Sequence, residues 1–158
     1  MSIPLYGQNK DGDALNNVAL SRGYLKIVAG ITLTGTEGGV IHIADSDACA
    51  IVLPEITASL NGIEYKFIMA NDAGGSITIT STDQAGDFYQ GTLAVHQVDA
   101  DDGFAANGTS NNIITMNATT TGGLLGSEVN VRAMYLTGWI VWGNVFGTNG
   151  TAATPFSG

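Results

Sequence analysis

Apolar and polar residues alternate with a period of two along most of the chain from Tyr24 onward. In residues 27–34, Ile27, Ala29, Ile31 and Leu33 fall on one face of an extended strand. The alternation recurs in residues 40–43, 65–69, 76–80, 93–98 and 128–135. Residues 50–53 are a short apolar run, and residues 113–116 have the composition of a short strand. This pattern predicts short β-strands, most of them with one face in a core.

Turn-forming pairs separate these runs. Pairs such as Asn61-Gly62 and Gly74-Gly75 supply the positive φ angles of tight reversals, and Thr137-Gly138 is expected to close a hairpin between 128–135 and 139–142. No window shows sustained helical periodicity. About nine or ten short strands predict an all-β fold, an antiparallel β-sandwich or a jelly-roll-like barrel. A β-solenoid is the rival architecture, but no fixed repeat period is visible.

The two ends of the chain differ from this body. Residues 1–23 are polar and turn-rich, and we expect them to form an extended N-terminal arm that packs on a surface. We expect residues 24–146 to form the β-sandwich domain, and residues 147–158, rich in Gly, Thr and Ala, to be a flexible C-terminal tail or to dock on a neighbour. The apolar side chains of the arm are the expected partner contacts: Ile3, Leu5, Tyr6, Leu15, Val18 and Leu20.

Charge narrows the range of partners. Charged residues make up 12% of the chain, against a usual fraction of about 25%. The formal net charge is −9, and the five basic residues are scattered: Lys10, Arg22, Lys26, Lys66 and Arg132. These are too few to neutralise a phosphate backbone or an anionic membrane, so neither nucleic acid nor a membrane is expected as a partner. The sparsely charged exterior instead favours contact with proteins, most simply copies of the same chain.

Cys49 is the one cysteine and lies in an apolar run, so it is expected to be a buried, inert thiol. The N-terminus lacks the basic and apolar regions of a signal peptide, and no run approaches about 18 apolar residues. We therefore expect synthesis in a cytoplasm without membrane insertion.

Candidate chemistry is sparse. His42 and His96 occupy the polar phase of their strands and are expected to face solvent or an interface. No HExxH, CxxC, GxSxG or Walker-type motif is present, so we expect neither an enzyme nor a cofactor. Asp99, Asp101 and Asp102 are weak candidates for a surface divalent cation, and otherwise their carboxylates would keep a sheet edge from pairing with other chains.

Aromatic residues allow two interpretations. Trp139 and Trp142 lie three apart, so in a strand one should enter the core and the other should face outward. The candidates for a carbohydrate-stacking platform are other rings: Tyr65, Phe67, Phe88, Tyr89 and Tyr135. The alternative, which we favour, is that these rings fill the core and a subunit interface.

The order of several strands resembles a known class of protein. An apolar strand ends in Leu53-Pro54, Gly62-Ile63-Glu64-Tyr65-Lys66-Phe67 follows, then Ile77-Thr78-Ile79, and finally Trp139-Ile140-Val141-Trp142-Gly143. This order, over about residues 50–145, resembles small β-rich virion proteins of tailed bacteriophages, particularly marine and cyanobacterial phages.

The resemblance implies a capsid decoration, or cement, protein at the capsid surface. It would bind the major capsid protein and copies of itself, as a homo-oligomer that is expected to be a trimer, and would stabilise the lattice. A tail, fibre or baseplate component is the structural alternative, and a carbohydrate-binding β-module is the alternative of another class.

Overall fold

The computed structural model describes residues 23–72, 75–82, 88–134, 138–148 and 150–158. These residues form twelve strands and two single turns of 3-10 helix, Gly35–Glu37 and Ala58–Leu60. The strands are β1 Tyr24–Ile27, β2 Ile31–Thr32, β3 Ile41–Ala44, β4 Cys49–Val52, β5 Glu64–Met69, β6 Ile77–Thr80, β7 Tyr89–His96, β8 Asp101–Asn107, β9 Ile113–Met116, β10 Glu128–Met134, β11 Gly138–Phe146 and β12 Phe156–Ser157. The predicted all-β class is confirmed.

Two sheets form a sandwich. The seven-stranded sheet has the order β1-β3-β5-β10-β11-β7-β8, and the five-stranded sheet has the order β12-β9-β6-β4-β2. Of the ten pairings in the described part of the chain, five are parallel, so the sheets are mixed and not wholly antiparallel as predicted. The predicted hairpin between β10 and β11 is present.

The first six strands account for four of the five parallel pairs, and the fifth joins β7 and β11. These six strands alternate between the sheets, and each of β3 to β6 pairs in parallel with the strand two positions earlier, as in the coils of a solenoid. Tyr24 pairs with Ile41, 17 residues later, and Ile41 pairs with Lys66, 25 residues later. The coils are unequal because their connections differ in length, and so the sequence has no fixed period.

This alternation corrects the reading of residues 27–34 as one strand. The chain bends at 28–30, so that Ile27 ends β1 in one sheet and Ile31 begins β2 in the other. Ile27 and Leu33 both reach the core, at 2% and 1% exposure, whereas Ala29 is exposed at the bend.

Side chains from both sheets share one core. Tyr65, Phe67 and Met69 of β5 are fully buried, as are Ile77 and Ile79 of β6. The hydroxyl of Tyr89 crosses the sandwich and donates to the carbonyl oxygen of Ile79 at 3.1 Å.

Strand β3 has the opposite orientation to the one predicted. Its parallel register places His42 beside Phe67 and Ala44 beside Met69, which fixes His42 and Ala44 on the core side. Ile41 and Ile43 therefore point outward and are partly exposed. Burial of the large rings on β5 determines this register, because slipping β3 by one residue would exchange its two faces.

The C-terminal segment, expected to be flexible, is instead built into the sandwich. Phe156 and Ser157 pair with Ile114 and Ile113 of β9, and Phe156 is 6% exposed. The amide of Thr115 also donates to the carbonyl of Pro155 at 2.8 Å. The sandwich thus extends beyond residue 146 and uses the C-terminal residues as an edge strand.

Candidate interaction face

The outward side of the seven-stranded sheet, which we call the wide face, combines apolar and charged side chains. Its central members are Ile41, Ile43, Glu64, Lys66, Ile68, Glu128, Asn130, Arg132, Ile140 and Trp142, and Tyr24 and Phe146 lie toward its margins. Tyr24 is 54% exposed and Phe146 is 40% exposed. The isoleucines and Trp142 are partly exposed. Apolar residues therefore lie on both sides of this sheet.

Every lysine and arginine in the described part of the chain is ion-paired on this face. Nζ of Lys26 lies 2.5 Å from Asp45. Nζ of Lys66 lies 2.7 Å from Glu128, and Nη2 of Arg132 lies 2.6 Å from Glu64. The hydrogen bond from Lys66, followed by one from Asn130, lowers the pKa of Glu128 below its ordinary value. Such partly exposed pairs add at most about 1 kcal/mol each to stability, but they fix where the charges lie.

Arg132 also contacts an aromatic ring. Its guanidinium carbon lies 5.4 Å from the centroid of Trp142, while Nε and Nη2 both donate to Glu64. Trp142 is thus the outward tryptophan, and Trp139 is fully buried, as the sequence predicts. Tryptophan and arginine are the residues that most often dominate the energy of protein interfaces.

A shallow cavity of about 430 Å³ opens beside this cluster. It is lined by Gly39, Val40, Ile41, Glu64 and Lys66. The cavity offers one apolar wall and two oppositely charged groups, each already held in an ion pair. Its chemistry suits a protein side chain or a small polar group.

His96 lies at one margin of the wide face. Its Nδ1 is 3.1 Å from Asp101 Oδ1, its Nε2 is 3.0 Å from Asn144 Oδ1, and its ring stacks on Phe146 at 5.3 Å. The Asn144 bond, and secondarily Asp101, raises the pKa of His96 above its ordinary value of 6.5. The outward position agrees with the prediction, and both nitrogens are engaged, so neither is free to activate a nucleophile.

His42 contradicts the prediction that it faces solvent or an interface. It is 0% exposed and lies between Tyr65 and Phe67, with ring centroids 5.5 and 5.1 Å away. Neither ring nitrogen makes a hydrogen bond of ordinary geometry, and the nearby backbone groups of Lys66 and Val40 only partly oppose the effect of burial. Burial lowers the pKa of His42 below 6.5, which favours the neutral imidazole.

The acidic candidates for a cation site do not converge. Asp101 and Asp102 are successive residues of β8, so their side chains point to opposite faces, and Asp101 is bonded to His96. No group of three or more His, Cys, Asp or Glu suited to a metal ion occurs among the residues described. Strand β8 is an edge strand, which agrees with the alternative that these carboxylates discourage pairing with other chains.

The rings proposed for carbohydrate stacking do not form an exposed platform. Tyr65, Phe67 and Tyr89 are each 0% exposed in the core, and Phe88 is partly exposed. Tyr135 lies outside the described residues, as do the predicted partner contacts of the arm: Ile3, Leu5, Tyr6, Leu15, Val18 and Leu20.

The outward side of the five-stranded sheet is different in character. We call it the threonine face, and it carries no charged side chain on its strands. The register aligns Thr32, Val52, Thr80, Ile113 and Ser157 in one row, and Ala50, Thr78 and Thr115 in the next. The two outer surfaces of the sandwich are therefore chemically distinct.

Sequence reasoning missed the wide face because it placed His42 in the outward phase of its strand, which puts Ile41 and Ile43 in the core. The available signal was that β5 and β11 also carry isoleucine, Ile68 and Ile140, at the positions between their core residues.

No protein-family model, curated protein or solved structure matches this chain. No helix in the described ranges is both long and apolar enough to span a membrane.

Proposed function

We propose that this chain is a structural protein of a tailed-bacteriophage virion, a decoration protein that binds the assembled lattice of major capsid protein. The observation that supports the proposal best is the wide face. There Ile41, Ile43, Ile68, Ile140 and Trp142 point away from the core of the sandwich.

An outward apolar cluster bordered by ion pairs has the composition of a protein interface. The apolar centre gains free energy when a partner removes it from water, and the charged border sets orientation. Arg132 is held against both Glu64 and Trp142, so little side-chain freedom remains to be lost on binding. Low charge over the rest of the chain allows close packing of neighbouring copies.

A decoration protein acts by mass action. A ligand that binds only the assembled lattice stabilises it by RT ln(1 + [L]/Kd). Association of several copies, for which a trimer is the symmetric form we favour, would multiply weak contacts into avidity. In this proposal the apolar residues of the arm, Ile3, Leu5, Tyr6, Leu15, Val18 and Leu20, are additional contacts with a neighbouring capsid protein.

The proposal is tested by binding to purified capsids from which the protein is absent. Ile68→Lys places a charge in the centre of the wide face, and Thr78→Lys is its matched control on the threonine face. Both positions are outward on central strands. We expect Ile68→Lys to weaken binding at least about tenfold and Thr78→Lys to leave it unchanged, because a buried unpaired lysine is costly.

Two results would contradict the proposal, the first its binding face and the second its place in the virion. Loss of binding with Thr78→Lys alone would move the lattice contact to the threonine face. A copy number of a handful per virion, in place of hundreds, would identify a tail, fibre or baseplate component. A glycan array probed with the same protein tests the carbohydrate-binding alternative, for which a clear hit is required.

A further inference from the structure

Three side chains on the wide face form a single bonded group. The carboxylate of Glu128 contacts Nζ of Lys66 through Oε2 at 2.7 Å. Its other oxygen, Oε1, accepts a hydrogen bond from Nδ2 of Asn130 at 2.9 Å. One carboxylate therefore holds an amine and a carboxamide at the same time.

Strand register brings the amine and the amide together. Lys66 and Asn130 are direct partners in the antiparallel pair of β5 and β10. Backbone hydrogen bonds flank this pair on both sides: the Met69 N–H donates to the carbonyl of Ser127, and the Ala133 N–H donates to the carbonyl of Ile63. Met69 lies three residues from Lys66, and Ala133 lies three residues from Asn130. Hydrogen-bonded and non-hydrogen-bonded pairs alternate, so Lys66 and Asn130 form a non-hydrogen-bonded pair, in which Cα atoms are only about 4.5 Å apart.

We propose that Lys66 and Asn130 are the reactive pair of an autocatalytic isopeptide cross-link, with Glu128 as the proton carrier. Neutral Nζ of Lys66 attacks Cγ of Asn130, and the new Nζ–Cγ bond forms as the Cγ–Nδ2 bond breaks. Glu128 takes a proton from Nζ and passes it to Nδ2, which it already contacts, and ammonia leaves. The reaction needs no oxidant, metal or co-reactant.

The surroundings of Lys66, Glu128 and Asn130 determine the rate of the cross-linking reaction. Asn130 is only 5% exposed. Its side-chain Nδ2 also lies 3.5 Å from the carbonyl oxygen of Trp142. The side chains of Lys66 and Glu128 are 35% and 37% exposed, so water stabilises the charged ion pair. A lysine amine attacks only when neutral, so the reaction is slow on the uncovered face at neutral pH. Alkaline pH accelerates it, and so does a partner that removes water from the face.

Mass spectrometry of the intact, full-length chain tests the cross-link. We expect a species lighter by about 17 Da, the mass of ammonia, to accumulate over days at about pH 9.5 and more slowly at pH 7. Cyclisation at Asn-Gly sequences loses the same mass, so the bond must be located by peptide mapping. The expected product joins the peptides of Lys66 and Asn130 and resists trypsin after Lys66.

Three variants separate the proposal from a purely structural ion pair. Lys66→Arg keeps the charge and the contact with Glu128 but removes the nucleophile, so no cross-linked peptide should form. Glu128→Gln removes the proton carrier and should slow the reaction at least about a hundredfold, in the range typical of general acid–base catalysis. Lys26→Arg, in an ion pair that involves a carboxylate alone, should react like the wild type.

Failure to detect the joined peptide in folded wild-type protein at either pH would overturn the proposal, as would its formation at an unchanged rate in Glu128→Gln. Neither result depends on capsid binding, so the cross-link and the proposed function are tested independently of each other.

Discussion

The imidazole ring of His42 lies 5.1 Å from the ring of Phe67, its register partner on the neighbouring strand, and neither imidazole nitrogen makes a hydrogen bond of ordinary geometry. Burial lowers the pKa of this histidine below 6.5 because an imidazolium would lose its hydration there. In the unfolded chain the ring takes up a proton more readily. The free energy of unfolding must therefore fall as the pH drops below about 6.5.

His42→Leu should remove this acid sensitivity. Between about pH 7.5 and pH 5 the wild type should lose up to about 2 kcal/mol of stability through this group, since one proton is worth about 1.36 kcal/mol per pH unit. The leucine variant should lose less, as measured by urea unfolding at both pH values.

His96→Gln is the control for this prediction. The pKa of His96 is raised, chiefly by Asn144, so its small contribution is present at low pH and is lost as the pH rises through the folded-state pKa. Removing it should leave the acid loss in place. Equal pH dependence in the wild type and in His42→Leu would contradict our account of His42.

The two tryptophans should differ sharply on truncation. Trp139 is fully buried and packs on Tyr65 at 5.8 Å, so Trp139→Ala should cost about 3–5 kcal/mol. Trp142→Ala removes an outward ring and its contact with Arg132, and should cost about 1 kcal/mol or less. Chemical denaturation of both variants checks this, and equal losses would mean that the faces of β11 are misassigned.

The strands that could be predicted correctly are those whose large apolar residues lie on one face only. In β5 and β6 the core positions Tyr65, Phe67, Ile77 and Ile79 are all apolar, and their strands and faces were read correctly. The prediction failed in β3 because its outward residues are isoleucines and its inward residues include His42. Only pairing with Phe67, a contact distant in sequence, resolves that ambiguity.

Strand β8 was missed for a different reason. Asp101, Asp102 and Gly103 are poor strand formers, and the segment looks like a polar loop. It becomes a strand because the edge of β7 offers a row of backbone hydrogen bonds. The group of Lys66, Glu128 and Asn130 could not be predicted from the sequence either, because only the register of β5 and β10 brings these residues together.

Gly91 should not tolerate a side chain. Its φ is +124°, and a Cβ atom would overlap the carbonyl oxygen of Val141 on the paired strand β11. Gly91→Ala should therefore cost at least about 1–3 kcal/mol, from backbone strain and disturbed pairing.

Gly103 provides the control on the neighbouring strand. A Cβ there meets nothing within 4 Å, so Gly103→Ala should be neutral or slightly stabilising. Thermal unfolding of the two alanine variants makes the comparison, and a tolerated Gly91→Ala would mean that β7 and β11 pair less closely than described.

Cys49 should be unreactive while the chain is folded. It is 7% exposed on the inward side of β4, and burial raises the pKa of its thiol, which disfavours the reactive thiolate. Its neighbour Ala50 points to the exposed threonine face. Moving the thiol by one residue, in Cys49→Ala/Ala50→Cys, should therefore increase the labelling rate with a maleimide or a disulfide reagent at least about tenfold.

In denaturant the two proteins should react at the same rate, because only the fold makes their thiols differ in accessibility. Fast labelling of native wild-type protein would show that β4 opens readily, and would place this part of the five-stranded sheet among the less stable regions of the sandwich.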